Sequence, residues 1–385
     1  MVLDPKKFPK AKKEVLSKDE VKAIIKGKGM SRPAQCVTPL LLLPSEQPFR
    51  EQELIDIWEK YPDDAVFFEY TRPGNFGKPG DRYVWVDVEG ADPLANQIDE
   101  TKIGIDEKTA VDWDVIEKIS KDIPDPYFPE SLVQDYYEDD GRYRGLFWTR
   151  LSFERLWHFR GMSNTLMDFY LYPDKVKALL KHLRTIYFKA IERAANEYHF
   201  DAIAFTDDIG MQDRAFFSED IFVEFIKPHY KEVFDYAHQH GLDVWLHTCG
   251  HIEPFIDHLV ELGLDVLHPI QKYTMDEKKI AEKYRDKLCF WVGMDVQRIL
   301  PFGTVEDVKN ETRYLIDTFY IPNQGRLVIG PGNRFRHDIP SENIEAFLEE
   351  LYHYGKEVET NQAVGKHHSP AESQQVFSRL KDDQD

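Results

Sequence analysis

The feature that most constrains the fold of this chain is an alternation. Short runs rich in apolar and β-type residues are separated by longer segments with apolar residues at i, i+3 and i+4. The pattern predicts strands over 34–43, 65–70, 145–150, 202–206, 242–247, 265–268, 288–293 and 326–329. It predicts helices over 174–197, 218–240, 252–262, 304–319 and 341–354, with Asp174, Ser218, Thr304 and Ser341 standing where N-cap residues belong. Eight strands with intervening helices predict an α/β fold, a (β/α)8 TIM barrel. An open doubly wound sheet is the alternative, weakened because no Gly-x-Gly-x-x-Gly follows the first strand. Residues 74–140 interrupt the alternation with Gly, Pro and acidic runs and read as an elaborated insertion, with a hairpin at 83–86 and long loops over one end of the fold. The expected organisation is an N-terminal arm or short helix over 1–30, a barrel over 31–358 and a polar, poorly ordered tail over 359–385.

Composition bounds what such a barrel does. Apolar residues make up 42% of 385, enough for a large core, while a net charge of −20 argues against nucleic acid and anionic membrane surfaces as partners. Three cysteines, Cys36, Cys249 and Cys289, make no disulfide framework. The N-terminus has no apolar signal core, and no run approaches the roughly 20 apolar residues that span a bilayer. The expectation is a reduced, cytoplasmic protein.

In a barrel the chemistry sits at the C-terminal ends of the strands. The fourth strand ends in Thr206-Asp207-Asp208, and neighbouring carboxylates on an extended chain point opposite ways. One therefore faces the pocket while the other caps a helix or pairs with a base, or both belong to an ordinary loop. The fifth ends in Leu246-His247-Thr248-Cys249-Gly250, where His247 and Cys249, two apart, project from one face. That is half of a zinc site, or two packed residues of a barrel interior. The sixth brings Gln271, suited to a substrate carbonyl or carboxylate, and His268, which reads equally as a buried, satisfied ring. The seventh brings Asp295. The eighth brings Gly330-Pro331-Gly332-Asn333-Arg334, followed by Arg336 and His337, a rest for an anion or a mere turn with solvated arginines. Five successive polar strand ends point to an enzyme, with Asp207, Asp208 and His247 as catalytic candidates and Gln271, Asp295, Asn333 and Arg334 as substrate-binding ones.

With these residues assembled, the chain resembles the uroporphyrinogen decarboxylase superfamily. The resemblance is carried by FERLWHFRGMSNTLMDFYLYPDKVKALL (153–180), FTDDIGMQ (205–212), LHTCGHIEPFIDHLVELGLDVLHPIQ (246–271), GMDVQRILPFGTVEDVKNE (293–311) and IPSENIEAFLEELYHYGK (339–356), and covers about residues 30 to 356. It implies a (β/α)8 barrel of one of two branches. One decarboxylates uroporphyrinogen without a cofactor. The other moves a methyl group between a substrate and a corrinoid carried by a partner protein, often with Zn²⁺ held by His-x-Cys and a later Cys.

His247 and Cys249 match the His-x-Cys pair, but no Cys follows the eighth strand, and Cys289 lies at the start of the seventh. A third zinc ligand would have to come from Asp207, Asp208, Asp295 or Asn333. The decarboxylase branch implies an arginine-rich segment near residues 31–38, where only Arg32 stands. The resemblance therefore implies a corrinoid-dependent methyltransferase, acting on a small methylated substrate of which methoxylated aromatics are one class. A cofactor-independent decarboxylase and a non-catalytic ligand-binding barrel are the alternatives.

Overall fold

The computed structural model of the chain describes residues 15–29, 32–37, 49–69, 112–119, 139–363 and 368–369. The strands are β1 (Ala34–Gln35), β2 (Ala65–Glu69), β3 (Tyr143–Trp148), β4 (Ala202–Thr206), β5 (Asp243–His247), β6 (Val266–His268), β7 (Cys289–Met294) and β8 (Leu327–Pro331). All pairings are parallel, and the order runs β1-β8-β7-β6-β5-β4-β3-β2. A doubly wound sheet reverses direction at a switch point. Here the order is sequential and β8 returns to β1, so the fold is a (β/α)8 barrel. The seam between β1 and β2 is joined by Asp64 N–H to Gln35 O at 3.0 Å. The side chains of Asp64 and Asp63 accept from Gln35 N and Val37 N at 2.8 and 2.9 Å.

The barrel is filled, not hollow. Phe67, Tyr143, Trp245 and Trp291 are buried inside it with Ala202, Ala204, Val266 and Val328. Their rings interlock, with Phe67–Trp245 centroids at 4.8 Å and Trp245–Trp291 at 5.5 Å. The ring donors of this stack have acceptors: Trp245 Nε1 donates to Tyr143 OH at 3.1 Å, Tyr143 OH to Asp243 Oδ2 at 2.9 Å, and Trp291 Nε1 to the Cys36 carbonyl at 3.1 Å. His268 lies on this stack, 4.0 Å from the Trp291 centroid. The ring stack is the floor of the barrel mouth.

The opposite end is closed by the helix Lys18–Ile25, which lies within the segment expected to be an arm or short helix. Ser17 and Glu20 make a capping box, and Val21, Ile24 and Ile25 join the barrel-interior cluster.

Several elements depart from expectation. The helix predicted from 174 begins at Pro173 with Tyr172 as its cap; proline lacks an N–H and suits the first position, leaving Asp174 in the first turn. Ser341 is the first residue of its helix, Ser341–Ala363, which runs five residues into the segment expected to be a polar tail. The long helix expected over 218–240 is capped by Ser218 but passes through a π turn at Phe222–Ile226 before Lys227–Gln239. Pro228 explains the π turn: it cannot donate to Glu224, and its ring would meet that carbonyl in regular α geometry. The hairpin at 83–86 lies outside the described residues, as does the strand predicted beyond residue 37. Among the described residues no helix is long and apolar enough to cross a membrane.

Candidate active site

The ends of β4 and β5 bring Asp208, His247 and Cys249 together. One donor atom from each lies within 4.8 Å of the others, a carboxylate oxygen, an imidazole nitrogen and a thiol sulfur. His247 Nε2 is 3.4 Å from Cys249 Sγ and 3.8 Å from Asp208 Oδ1. Asp208 Oδ1 also accepts the Cys249 N–H at 2.7 Å, which fixes the turn that carries the thiol.

The turn depends on glycine at two places. Gly250 has φ +87°, and a Cβ there would collide with the Gly210 carbonyl; a Cβ on Gly210 would meet the backbone of residues 249–251. The two βα loops thus touch backbone to backbone, joined by His251 N–H to Met211 O at 2.7 Å.

The neighbouring strand ends serve this turn in different ways. Gln271 Oε1 accepts the Gly250 N–H at 2.7 Å, and Asn333 Nδ2 lies 3.6 Å from Cys249 Sγ. Arg334 is exposed, its backbone N–H donating to Asn333 Oδ1 at 2.7 Å. Asp295 pins its own loop, accepting from Gln297 N, Ile299 N and Tyr273 OH at 2.9, 3.2 and 3.0 Å.

The two adjacent carboxylates of β4 divide their work. Asp207 is fully buried and caps the helix Phe153–Arg160 from a neighbouring strand, accepting the Phe153 and Glu154 N–H groups at 3.1 and 2.8 Å. Ser152 Oγ and, at 2.8 Å, Tyr230 OH also donate to it. Asp208 is the half-buried one, facing His247. Asp207 as a pocket-facing catalytic acid therefore gives way to Asp207 as a support, because its lone pairs meet the start of a helix.

Two further residues, Glu154 and His268, complete the site. Glu154 Oε2 accepts from Thr206 Oγ1 at 2.8 Å. Burial, then the nearby Asp208 and Asp207 charges, push its carboxyl up to about 8, so it holds a proton at neutral pH. Glu154 stands in the segment after β3, outside the five strand ends, β4 to β8, that carry the sequence expectation. The second is His268, whose Nδ1 is 2.6 Å from His247 Nδ1 and whose Nε2 is 3.0 Å from the Pro331 carbonyl oxygen.

Burial sets the remaining charges. It lowers His247 against the opposing pull of Asp208, and His247 is neutral. Burial, with Asp208 and Glu154 adding to it, raises the Cys249 thiol well above its usual range. A neutral imidazole, a carboxylate and a thiol converging on one point form an electron-rich donor set. The donor types and their closeness fit a borderline-soft divalent ion such as Zn²⁺.

A family model described as uroporphyrinogen decarboxylase (URO-D) matches residues 158–354. Among solved structures the chain is similar to a methyltransferase from Methanosarcina mazei, at 16% identity over 89% of this chain and 99% of that one, with a TM-score of 0.58. At that identity the likeness concerns the fold. An uronate isomerase from Bacillus halodurans, at 10% identity over 95% of each chain, has a TM-score of 0.32, too low to carry an argument. No curated protein matches the sequence.

Proposed function

The chain belongs to the uroporphyrinogen decarboxylase family, and from that premise we propose that it is a methyltransferase moving a methyl group between a small methylated substrate and a corrinoid held by a partner protein. The observation that carries the reading is the convergence of Asp208, His247 and Cys249. Decarboxylation without a cofactor has no use for a buried His/Cys/Asp donor set, whereas methyl transfer has use for a metal-held thiolate or an activated leaving oxygen. The similarity of fold to a methyltransferase supports the same branch.

In this reading His247, Cys249 and Asp208 hold zinc. When bound, zinc supplies Lewis acidity and keeps a thiolate deprotonated at neutral pH. Cys249 would hold the cation as a thiolate, its proton released to solvent, whereas burial alone favours the thiol. Glu154, protonated at neutral pH, is the group able to hand a proton to a leaving oxygen. Asn333 and Gln271 steady the Cys249–Gly250 turn beside the substrate. Asp207 sets the helix that presents Glu154. Arg32, the one arginine in the segment where polycarboxylate binding would be expected, is held by Asp64 at 2.7 Å, which disfavours a tetrapyrrole substrate.

The test uses purified, zinc-supplemented protein with free cob(I)alamin standing in for the partner-bound corrinoid. Methoxylated aromatics, methylated thiols and methylamines serve as donors, and methylcobalamin is followed by its absorbance. Turnover is expected with one donor class, falling by about 100-fold or more in Cys249→Ala, the order of loss on removing a key active-site group. Release of CO₂ from uroporphyrinogen without any methyl transfer would overturn the reading in favour of a decarboxylase. Tight binding of a donor with no turnover would overturn it in favour of a ligand-binding barrel.

A further inference from the structure

We propose that His268 is a positioning residue for this site: it locks His247 in the tautomer whose Nε2 lone pair faces Cys249 and Asp208. The inference rests on reading those three residues as a cation site. It follows from the contacts of two rings at adjacent strand ends, His247 and His268 being paired partners of β5 and β6.

The Pro331 carbonyl oxygen can only accept, so the contact at 3.0 Å requires a hydrogen on His268 Nε2. At 2.6 Å the two Nδ1 atoms need one proton between them, since facing lone pairs would repel and two hydrogens would not fit. A proton on His268 Nδ1 as well would make that ring an imidazolium. His268 is fully buried, against the Trp291 ring on one side and His247 on another, and its two ring contacts are to a carbonyl and an imidazole, neither of them an anion. An unpaired buried charge of that kind is costly. The proton therefore belongs to His247 Nδ1, and its Nε2 is bare.

The other contacts agree. His247 Nε2 lies 3.4 Å from Cys249 Sγ, a geometry that accepts a thiol hydrogen or, after its loss, leaves nitrogen and sulfur free for the same ion. The backbones carrying the rings are fixed independently, by Thr248 N–H to His268 O at 3.0 Å and Asp207 N–H to His247 O at 2.9 Å. With the opposite tautomer a hydrogen on Nε2 would occupy the point where a cation must sit. A partner for the second nitrogen commonly raises metal affinity by about 10- to 100-fold. Here that partner is itself a histidine whose orientation is set by β8.

The experiment compares wild type, His268→Leu and His268→Asn. In Asn the side-chain oxygen takes the place of Nδ1 as acceptor. Histidine ¹⁵N NMR on metal-free protein reads the tautomer of His247, and Co²⁺ titration, followed by the thiolate-to-metal charge-transfer band, reads affinity. The expected result is a bare Nε2 on His247 in wild type and in His268→Asn. In His268→Leu, loss of that tautomer and Co²⁺ affinity about 10- to 100-fold weaker are expected, with His268→Asn restored to within a few-fold. A hydrogen on Nε2 in the wild type, or an unchanged tautomer and Co²⁺ affinity in a folded His268→Leu, would overturn the proposal. If His268→Leu does not fold, the wild-type tautomer and the Asn variant still decide it. A wild type that binds no Co²⁺ yet shows the bare Nε2 would sink the cation reading alone and leave the relay standing.

Discussion

Glu154 is the residue whose behaviour is least local. Its carboxyl stands at the start of a helix, where sequence alone would make it a solvated first-turn acid with a favourable dipole. Burial and two neighbouring carboxylates instead raise it from the usual value near 4.5 to about 8. A carboxyl raised in the native state binds its proton more tightly there than in the unfolded chain. Its contribution to stability is complete below about pH 4.5 and is lost as the pH climbs toward 8. Glu154→Gln keeps the shape of the protonated acid and cannot lose a proton. Thermal melts from pH 5 to 9 are expected to show the variant gaining on the wild type as the pH rises, and a stability difference that stays flat across that window would contradict the assignment.

Other residues were legible because their signal is local. The two-residue spacing of His247 and Cys249 follows from strand geometry, and the opposed directions of Asp207 and Asp208 left only the choice of which one faces inward. That choice depends on where the helix Phe153–Arg160 begins, which no single segment reveals.

At the level of elements, β4 and β5 were foreseen to within a residue because they are buried runs between clear breaks, and the glycine turn that ends β5 was visible as well. What the letters do not carry is the contact between two loops. Gly210 and Gly250 look like independent turn residues, yet each occupies the space that a Cβ on the other would need. Gly250→Ala adds a methyl at φ +87° against the Gly210 carbonyl, so both strain and a clash fall on the segment that holds Cys249. A destabilisation of about 1–3 kcal/mol is expected, with the loops forced apart. Urea unfolding measures the first, and loss of the Co²⁺–thiolate band in the folded protein measures the second. An alanine variant with wild-type stability and spectrum would show that the loops have room to separate without cost.

The π turn at Phe222–Ile226 escaped the sequence for a related reason. Apolar periodicity registers a helix but not the single extra residue that Pro228 forces into it. Tyr230, two residues beyond Pro228, reaches Asp207 at 2.8 Å. Tyr230→Phe removes that donor from a buried carboxylate while keeping the ring, and a loss of about 1–3 kcal/mol in urea unfolding is expected. Unchanged stability would mean that Ser152 and the helix N–H groups satisfy Asp207 without help.

The whole molecule separates its two ends. The mouth carries converging polar groups, while the base is closed by a helix whose buried residues continue the barrel interior. Lys22 reaches Asp201 at 2.6 Å, and Lys26 bridges Asp243 and Asp265 at 2.7 and 2.6 Å, so the plug is tied to the start of three successive strands. Arg326 N–H donates to the Ile24 carbonyl at 3.0 Å and joins the plug to the start of β8 as well. Alternation in the sequence predicted the barrel, because each strand and helix announces itself locally. The role of the plug was hidden, since a short amphipathic helix reads the same whether it lies on a surface or under a barrel.

Ile24→Ala tests that role. The side chain is fully buried, and its truncation is expected to cost about 2–5 kcal/mol. In barrels the lower face serves stability and the upper face serves chemistry. The folded fraction of Ile24→Ala should therefore bind Co²⁺ with wild-type affinity and spectrum while unfolding at lower urea. Weakened Co²⁺ binding in fully folded Ile24→Ala would mean that the ring stack of Phe67, Trp245 and Trp291 transmits movement from the plug to His268, and the two ends would have to be treated as one mechanical unit.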